Sequence, residues 1–283
     1  MLQQTLQLLD GDEFRIIAGG TDYYPSTGHS SGNSTGVLDI TAVKELGSLT
    51  YNESGLSIGA LCTWSDIATA DLPPALRALQ LAALEVGSVQ IQNRATIAGN
   101  LCNASPAADG VPPLLCCDAI VNVASTKGQR SVPLVEFIRG NRRTELSRGE
   151  MVTSVFIPAD GCAGHSDFLK LGARKYLVIS IAMVATRLVV ENGMITDAAL
   201  SVGSCSEVAV RLPELETALT GMAADSKKVI EVVPDRFDNL SPIDDIRSSA
   251  GYRHIASASL IKRSLQRCLI TTRSDCMNNT DAV

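Results

Sequence analysis

Two glycine-centred loops, eighty positions apart at Gly19 and Gly99, constrain this chain more than any other feature. The first reads Ile16-Ile17-Ala18-Gly19-Gly20-Thr21-Asp22-Tyr23. The second reads Thr96-Ile97-Ala98-Gly99-Asn100-Leu101 and continues through Asn103-Ala104-Ser105-Pro106-Ala107-Ala108-Asp109. Glycine has no Cβ, so at these points a backbone can approach a phosphate closely or adopt a positive φ. Neighbouring threonine, asparagine and serine side chains add donors for anionic oxygens. Neither loop carries the lysine spacing of a triphosphate-binding loop, and neither reads G-x-G-x-x-G. The pair points to a dinucleotide held between two loops.

Length and charge narrow the field. At 283 residues the chain can form two domains around a sizeable core. A net charge of −6 argues against a general nucleic-acid binder, which needs clustered cations to neutralise phosphates. No run of apolar residues is long enough to span a membrane. Met1-Leu2-Gln3-Gln4 does not begin like a secretory signal, so a soluble, cytoplasmic protein is expected. The eight cysteines show no C-x-x-C pair, and Cys116-Cys117 are adjacent. Most stand beside alanine, leucine or isoleucine, as small buried hydrophobes do, and no metal or cluster set is expected.

Periodicity places both loops. Phe14 to Ala18 reads as a strand feeding Gly19-Gly20, Thr27 to Gly36 as a surface loop, and Val37 to Ile40 as a second strand. Leu56, Ile58 and Ala60 alternate with small residues, as in a strand with one buried face. Thr63 or Ser65 can cap a short helix. Pro73-Pro74 opens a longer one, with Leu76, Leu79, Ala83 and Val86 on one face and Gly87 ending it. Leu114 to Cys117 reads as a buried helix or strand, and Ala119 to Ala124 as a strand. Gly128 marks a hairpin turn, Val132 to Ile138 carries the chain on, and Met151 to Ile157 is a strand closed by Pro158. A Gly- and Ala-rich boundary at 159–166 follows. Beyond it, the apolar run Val178 to Val190 and the returning Ala198, Leu200 and Val202 flank Asn192-Gly193, a strong hairpin signal. Pro213 to Leu219 is a helix, and Leu260 to Leu269 a last amphipathic one. The polar residues from Thr271 are expected to fray.

These motifs resemble the FAD-binding (medium) subunit of molybdenum hydroxylases, the xanthine dehydrogenase and carbon monoxide dehydrogenase family. The resemblance rests on Ala18-Gly19-Gly20-Thr21-Asp22, on Gln90 through Asn100, and on Ala104-Ser105-Pro106-Ala107-Ala108-Asp109. It extends to Ser57-Ile58-Gly59-Ala60, Phe168 through Arg174, and Ala250-Gly251-Tyr252-Arg253. It implies an α+β fold: a two-lobed FAD domain of the p-cresol methylhydroxylase type at 1–158, with lobes of about 1–53 and 54–158. A smaller α/β domain at 165–270 and a polar tail at 271–283 would follow.

The resemblance also implies the site. Ile16 to Tyr23 and Thr96, Ile97, Ala98, Gly99 and Asn100 would wrap the pyrophosphate of non-covalent FAD. Asp109, after Ser105-Pro106, would accept from ribityl or ribose hydroxyls. Val86 would line the adenine side, and Met151 or Val152 would make an apolar contact. Lys170 would stabilise negative charge on the reduced ring. The molybdenum cofactor and [2Fe–2S] clusters would sit on a large and a small partner subunit. Electrons would pass from those clusters through FAD to an external acceptor, so no catalytic residue for hydroxylation is expected here. Three departures stand out: only about fifteen residues precede the first loop, Ala98 occupies a common glycine position, and no [4Fe–4S] insertion is present.

Blander readings compete at single residues. Asp109 could cap a helix starting near Val111, Arg94 could pin its loop through carbonyls, and Tyr176 could lie near the flavin or elsewhere. The alternatives at the level of function are a self-sufficient FAD-dependent reductase on the same fold, or a flavin-less scaffold. The former needs its own acid–base pair, and none is evident.

Overall fold

A computed structural model describes residues 1–11, 14–26, 36–175 and 177–280, with side chains along the last helix as far as Thr272. The surface loop expected from Thr27 lies outside the described residues up to position 35, as does Tyr176.

The chain opens with helix α1 (Leu2–Gly11), whose Thr5, Leu6 and Leu9 are buried. Strand β1 (Phe14–Ile17) follows and pairs in parallel with β2 (Gly36–Asp39). The first glycine loop leaves the end of β1. A hairpin of β3 (Leu49–Asn52) and β4 (Gly55–Gly59) comes next. Then come helices α2 (Trp64–Thr69), α3 (Arg77–Glu85), α4 (Ile97–Asn103) and α5 (Val111–Cys116). Strands β5 (Ile120–Ser125), β6 (Gly128–Pro133) and β7 (Met151–Pro158) complete an antiparallel sheet in the order β3-β4-β7-β5-β6. Leu56 and Ile58 of β4 stand opposite Ile157 and Val155 of β7, and all four are fully buried, as the alternation predicts.

The second half is a sheet of β8 (His165–Leu171), β9 (Ala182–Glu191), β10 (Met194–Gly203) and β11 (Val210–Arg211) in sequential antiparallel order. Helix α6 (Pro213–Leu219) packs against β10, and helix α7 (Ala250–Thr280) lies across β8 and β9. Asn192 and Gly193 join β9 to β10 with φ of 52° and 77°, the left-handed pair that a two-residue hairpin turn needs.

Each half has its own apolar core. A smaller cluster of Ala78, Ala82, Cys116, Phe168, Met183, Ala185 and Ala199 joins them where α3 and α5 meet the second sheet. Two arginines from the second half reinforce this seam at the end of α5. Arg187 Nε donates to Cys116 O at 2.8 Å, and Arg211 Nη1 to Leu115 O at 2.8 Å. Arg187 thereby satisfies the Cys116 carbonyl, and Arg211 adds a second donor to Leu115 O, which already accepts from Asp118 N at 3.2 Å.

Four local expectations need correction. Val132 to Ile138 does not continue as one strand, because Leu134–Phe137 closes a helical turn that puts Leu134 and Phe137 into the core. In the run from Val178, only Ala182 onward joins the sheet. The last helix starts ten residues before Leu260, at Ala250, and its backbone continues through Thr280 instead of fraying at Thr271. Asp109 does not cap α5, whose N-cap position is held by Gly110 with no side-chain cap. Other signals hold: Thr63 caps α2 in a reciprocal box with Asp66, and Gly87 follows α3 with φ of 56°.

Candidate functional site

The two glycine loops form facing walls of a cleft of about 430 Å³. Ile16, Ile17, Ala18, Gly19, Gly20, Thr21, Asp22 and Tyr23 line one wall. Thr96, Gly99 and Asn100 line the other, with Val86 at its margin. The loops touch through backbone. A Cβ on Gly19 would stand 1.8 Å from the carbonyl oxygen of Arg94, so only glycine permits this approach. The carbonyl of Arg94, rather than its guanidinium, is the group that meets the first loop. Gly20 turns the chain with φ of 73°.

The cleft offers both backbone amides and side-chain donors. No hydrogen bond to protein is found for the amides of Gly19, Gly20 and Thr21 among the described residues. In the first turn of α4, Ile97 N donates to Cys62 O at 3.0 Å and Gly99 N to Thr96 Oγ1 at 3.1 Å. At the mouth, Arg142 Nη1 donates to Asn103 Oδ1, and Asn103 Nδ2 donates to Asp22 Oδ1 at 2.8 Å. This chain of side chains ties the first loop to α4 and to the segment after β6. Arg142 holds φ of 60° while its amide donates to Ala104 O at 2.9 Å.

Several expected residues lie off the cleft wall. Ile97 and Ala98 point into the core beneath it. Met151 and Val152 are buried at the start of β7, where they pair with Ala124 and Val123 of β5. Ser105 lines a second cavity of about 500 Å³, which shares Arg142 with the first and also reaches Ser180, Ser204 and Arg253. Asp109 and Lys170 form a buried ion pair: Nζ donates to Oδ2 at 2.7 Å, with the side chains 5% and 9% exposed for lysine and aspartate respectively. Lys170 also donates to Glu85 O at 3.1 Å, at the end of α3, and Ser180 Oγ donates to Asp109 Oδ1 at 3.2 Å. Burial raises the Asp109 carboxyl to about 6 against the lowering by Lys170 and Ser180. Lys170 is therefore a neutralised cation linking the two halves.

The cleft also has wall residues that were not among the expected cofactor contacts: Arg15, Trp64, Ile91, Ala95, Cys102, Asn103 and Arg142. Trp64 heads a short helix and carries no local signature of a ligand contact. Cys102 follows Gly99 by three positions, the spacing that keeps two helical residues on one face, so periodicity could have found it. Among the described residues no group of three His, Cys, Asp or Glu side chains could hold a metal ion, and the seven described cysteines are free.

Residues 1–160 match the family model for the FAD binding domain in molybdopterin dehydrogenase, and residues 167–268 match the CO dehydrogenase flavoprotein C-terminal domain. The chain belongs to this family. Curated relatives include the nicotinate dehydrogenase FAD-subunit of Eubacterium barkeri, 32% identical over 88% of this chain and 86% of that protein. The glyceraldehyde dehydrogenase medium chain of Sulfolobus acidocaldarius is 29% identical over 89% of this chain and 90% of its own length. Among solved structures, quinoline 2-oxidoreductase from Pseudomonas putida 86 superposes with a TM-score of 0.85 at 25% identity, covering 96% of this chain and 95% of that one. Carbon monoxide dehydrogenase from Hydrogenophaga pseudoflava shares the fold, with a TM-score of 0.84 at 22% identity over 94% of this chain and 93% of its own.

This FAD-binding, medium-type subunit is a flavoprotein of the molybdenum hydroxylase family and an oxidoreductase subunit with FAD as its cofactor. Its α+β architecture, a two-lobed FAD domain followed by a smaller C-terminal domain, is that of the family. No helix among the described residues is long and apolar enough to cross a membrane.

Proposed function

We propose that this subunit seats FAD in the cleft between the two glycine loops and relays electrons within a molybdenum hydroxylase complex. The observation that carries the reading is the cleft itself, where both sequence motifs meet as opposite walls. The residues fit an extended dinucleotide. The amides of Gly19, Gly20 and Thr21, unpaired among the described residues, suit phosphate oxygens, and Gly99 puts no side chain on the face of α4 that lines the cleft. The cleft and the cavity beyond Arg142 together give room for a cofactor longer than either.

When bound, FAD supplies the electron-accepting and electron-donating ring. The chain's own work is to bind, orient and shield it. The amides of Gly19, Gly20 and Thr21 would hold the phosphates, and α4 would face them across the cleft with Gly99 and the Asn100 side chain. The Arg142–Asn103–Asp22 tie fixes the separation of the walls. The Lys170–Asp109 pair locks the C-terminal domain against the FAD domain and so fixes the second cavity. The proposed division is into 1–158 and 165–270 with a tail of 271–283, and the presence of two separate apolar cores supports the first boundary.

In this reading a large subunit carries the molybdenum cofactor, and a small subunit carries the [2Fe–2S] clusters that reduce the flavin. Oxidation of substrate takes place in the large subunit, an external acceptor reoxidises FAD, and the complex is cytoplasmic. The test is flavin bleaching by substrate, measured with the chain alone and with its co-purifying subunits. Bleaching only in the complex is expected; substrate-driven reduction of the isolated chain would overturn the relay.

A further inference from the structure

Two buried polar atoms that border the same glycine at the cleft have no partners. Trp64 is wholly buried, and its Nε1–H donates to nothing; Asn100 Oδ1 is buried and accepts nothing. One is a donor and the other an acceptor. Both border Gly110: a Cβ there would lie 2.3 Å from Trp64 Cη2, 2.9 Å from its Cζ2 and 3.1 Å from Asn100 Oδ1. The glycine thus leaves room for the six-membered ring of the indole and for the Asn100 amide side by side. Asn100 as a whole is only half-buried and lines the cleft, so its carbonyl end is the end turned inward. Buried groups left unpaired are rare because each forfeits its hydration, so a matched donor and acceptor at one place call for a state in which they pair.

We propose that Trp64 positions Asn100 for the cofactor: its indole N–H donates to Asn100 Oδ1 when the Asn100 amide nitrogen donates to an anionic oxygen of bound FAD. This rests on the seating of FAD in the cleft set out above. In this proposal the Asn100 side chain rotates toward Trp64 to close the indole contact. That rotation aims Nδ2, on the other branch of the planar amide, at the cleft. The hydrogen bond also polarises the amide, making Nδ2–H a stronger donor. Trp64 touches no reacting atom; it acts through Asn100.

Trp64 is the chain's one tryptophan, so one indole N–H resonance reports on it without assignment. The experiment is a ¹⁵N–¹H correlation spectrum of the full chain, stripped of flavin and then titrated with FAD, with retained flavin read by absorbance after desalting. FAD is expected to move the indole proton downfield as its hydrogen bond forms, and Asn100→Ala is expected to abolish that movement. Trp64→Phe keeps an aromatic ring without the donor and is expected to weaken FAD binding about tenfold, or about 1.4 kcal/mol. Chain that retains FAD with an unmoved indole resonance would refute the pairing and leave the FAD site standing. An indole shift that survives Asn100→Ala would place the donor on another acceptor and also refute it. Failure of the wild-type chain to retain FAD would remove the site and this inference with it.

Discussion

Lys170→Met removes the cation from a pair that is almost entirely out of water, and the consequence can be worked from its surroundings. The ammonium neutralises Asp109 at 2.7 Å and caps the carbonyl of Glu85 at 3.1 Å. Without it Asp109 keeps only the Ser180 hydroxyl. Breaking a buried pair on one side typically costs about 3–5 kcal/mol, because a charge is stranded. The pH dependence carries the diagnosis. In the wild type the Asp109 carboxyl already titrates at about 6, above the 3.8 of a free aspartate, because burial outweighs the pull of Lys170. A carboxyl whose folded pKa is raised favours the folded state most below the unfolded value. That advantage is lost as pH rises from 3.8 through about 6. Removing Lys170 raises the folded value further, so stability goes on falling above that window, by up to about 1.4 kcal/mol per pH unit. Urea unfolding near pH 8 should therefore show nearly the full deficit, and near pH 5 less than half of it. Adding Asp109→Asn should recover most of the loss near pH 8, since the stranded charge is gone while the acceptor for Ser180 remains. A deficit under about 1 kcal/mol, the level of exposed pairs, would refute the buried pair, as would one equal at both pH values.

The remaining expectations concern the cleft. Gly19→Ala places a methyl 1.8 Å from the Arg94 carbonyl and should force the walls apart, with loss of both FAD retention and thermal stability; an unchanged melting temperature would show that the loops do not touch. Gly99→Ala meets only Thr96 Oγ1, at 3.0 Å, and alanine suits a helix better by about 1 kcal/mol. It should keep or raise stability while weakening FAD about tenfold by flavin fluorescence titration, because the methyl enters the cleft; full-strength binding would remove α4 from the site. Arg142→Ala cuts an exposed tie, so unfolding should move by less than about 1 kcal/mol while FAD dissociates faster, and a dissociation rate equal to wild type would free the mouth of that role.

What the sequence determined was local and periodic. Glycine at positions 19 and 20, the Thr63 cap, the Asn192-Gly193 turn and the alternation of Leu56 and Ile58 each act through a few neighbouring residues, and the structure forms each of them. The order of the two loops sufficed to point to a dinucleotide, because backbone donors and missing Cβ atoms are written in the sequence itself. The helical turn at Leu134–Phe137 escaped because β-branched Val132, Val135 and Ile138 look like strand until a core is present to receive Leu134 and Phe137. Tertiary packing alone set Arg142 and Trp64 beside residues far along the chain, and no local pattern encodes such distances. It also decided the fate of Lys170. The family resemblance offers that residue to a reduced ring; in the fold Asp109, sixty-one positions away, lies 2.7 Å from it, and the buried pair ties the two halves together.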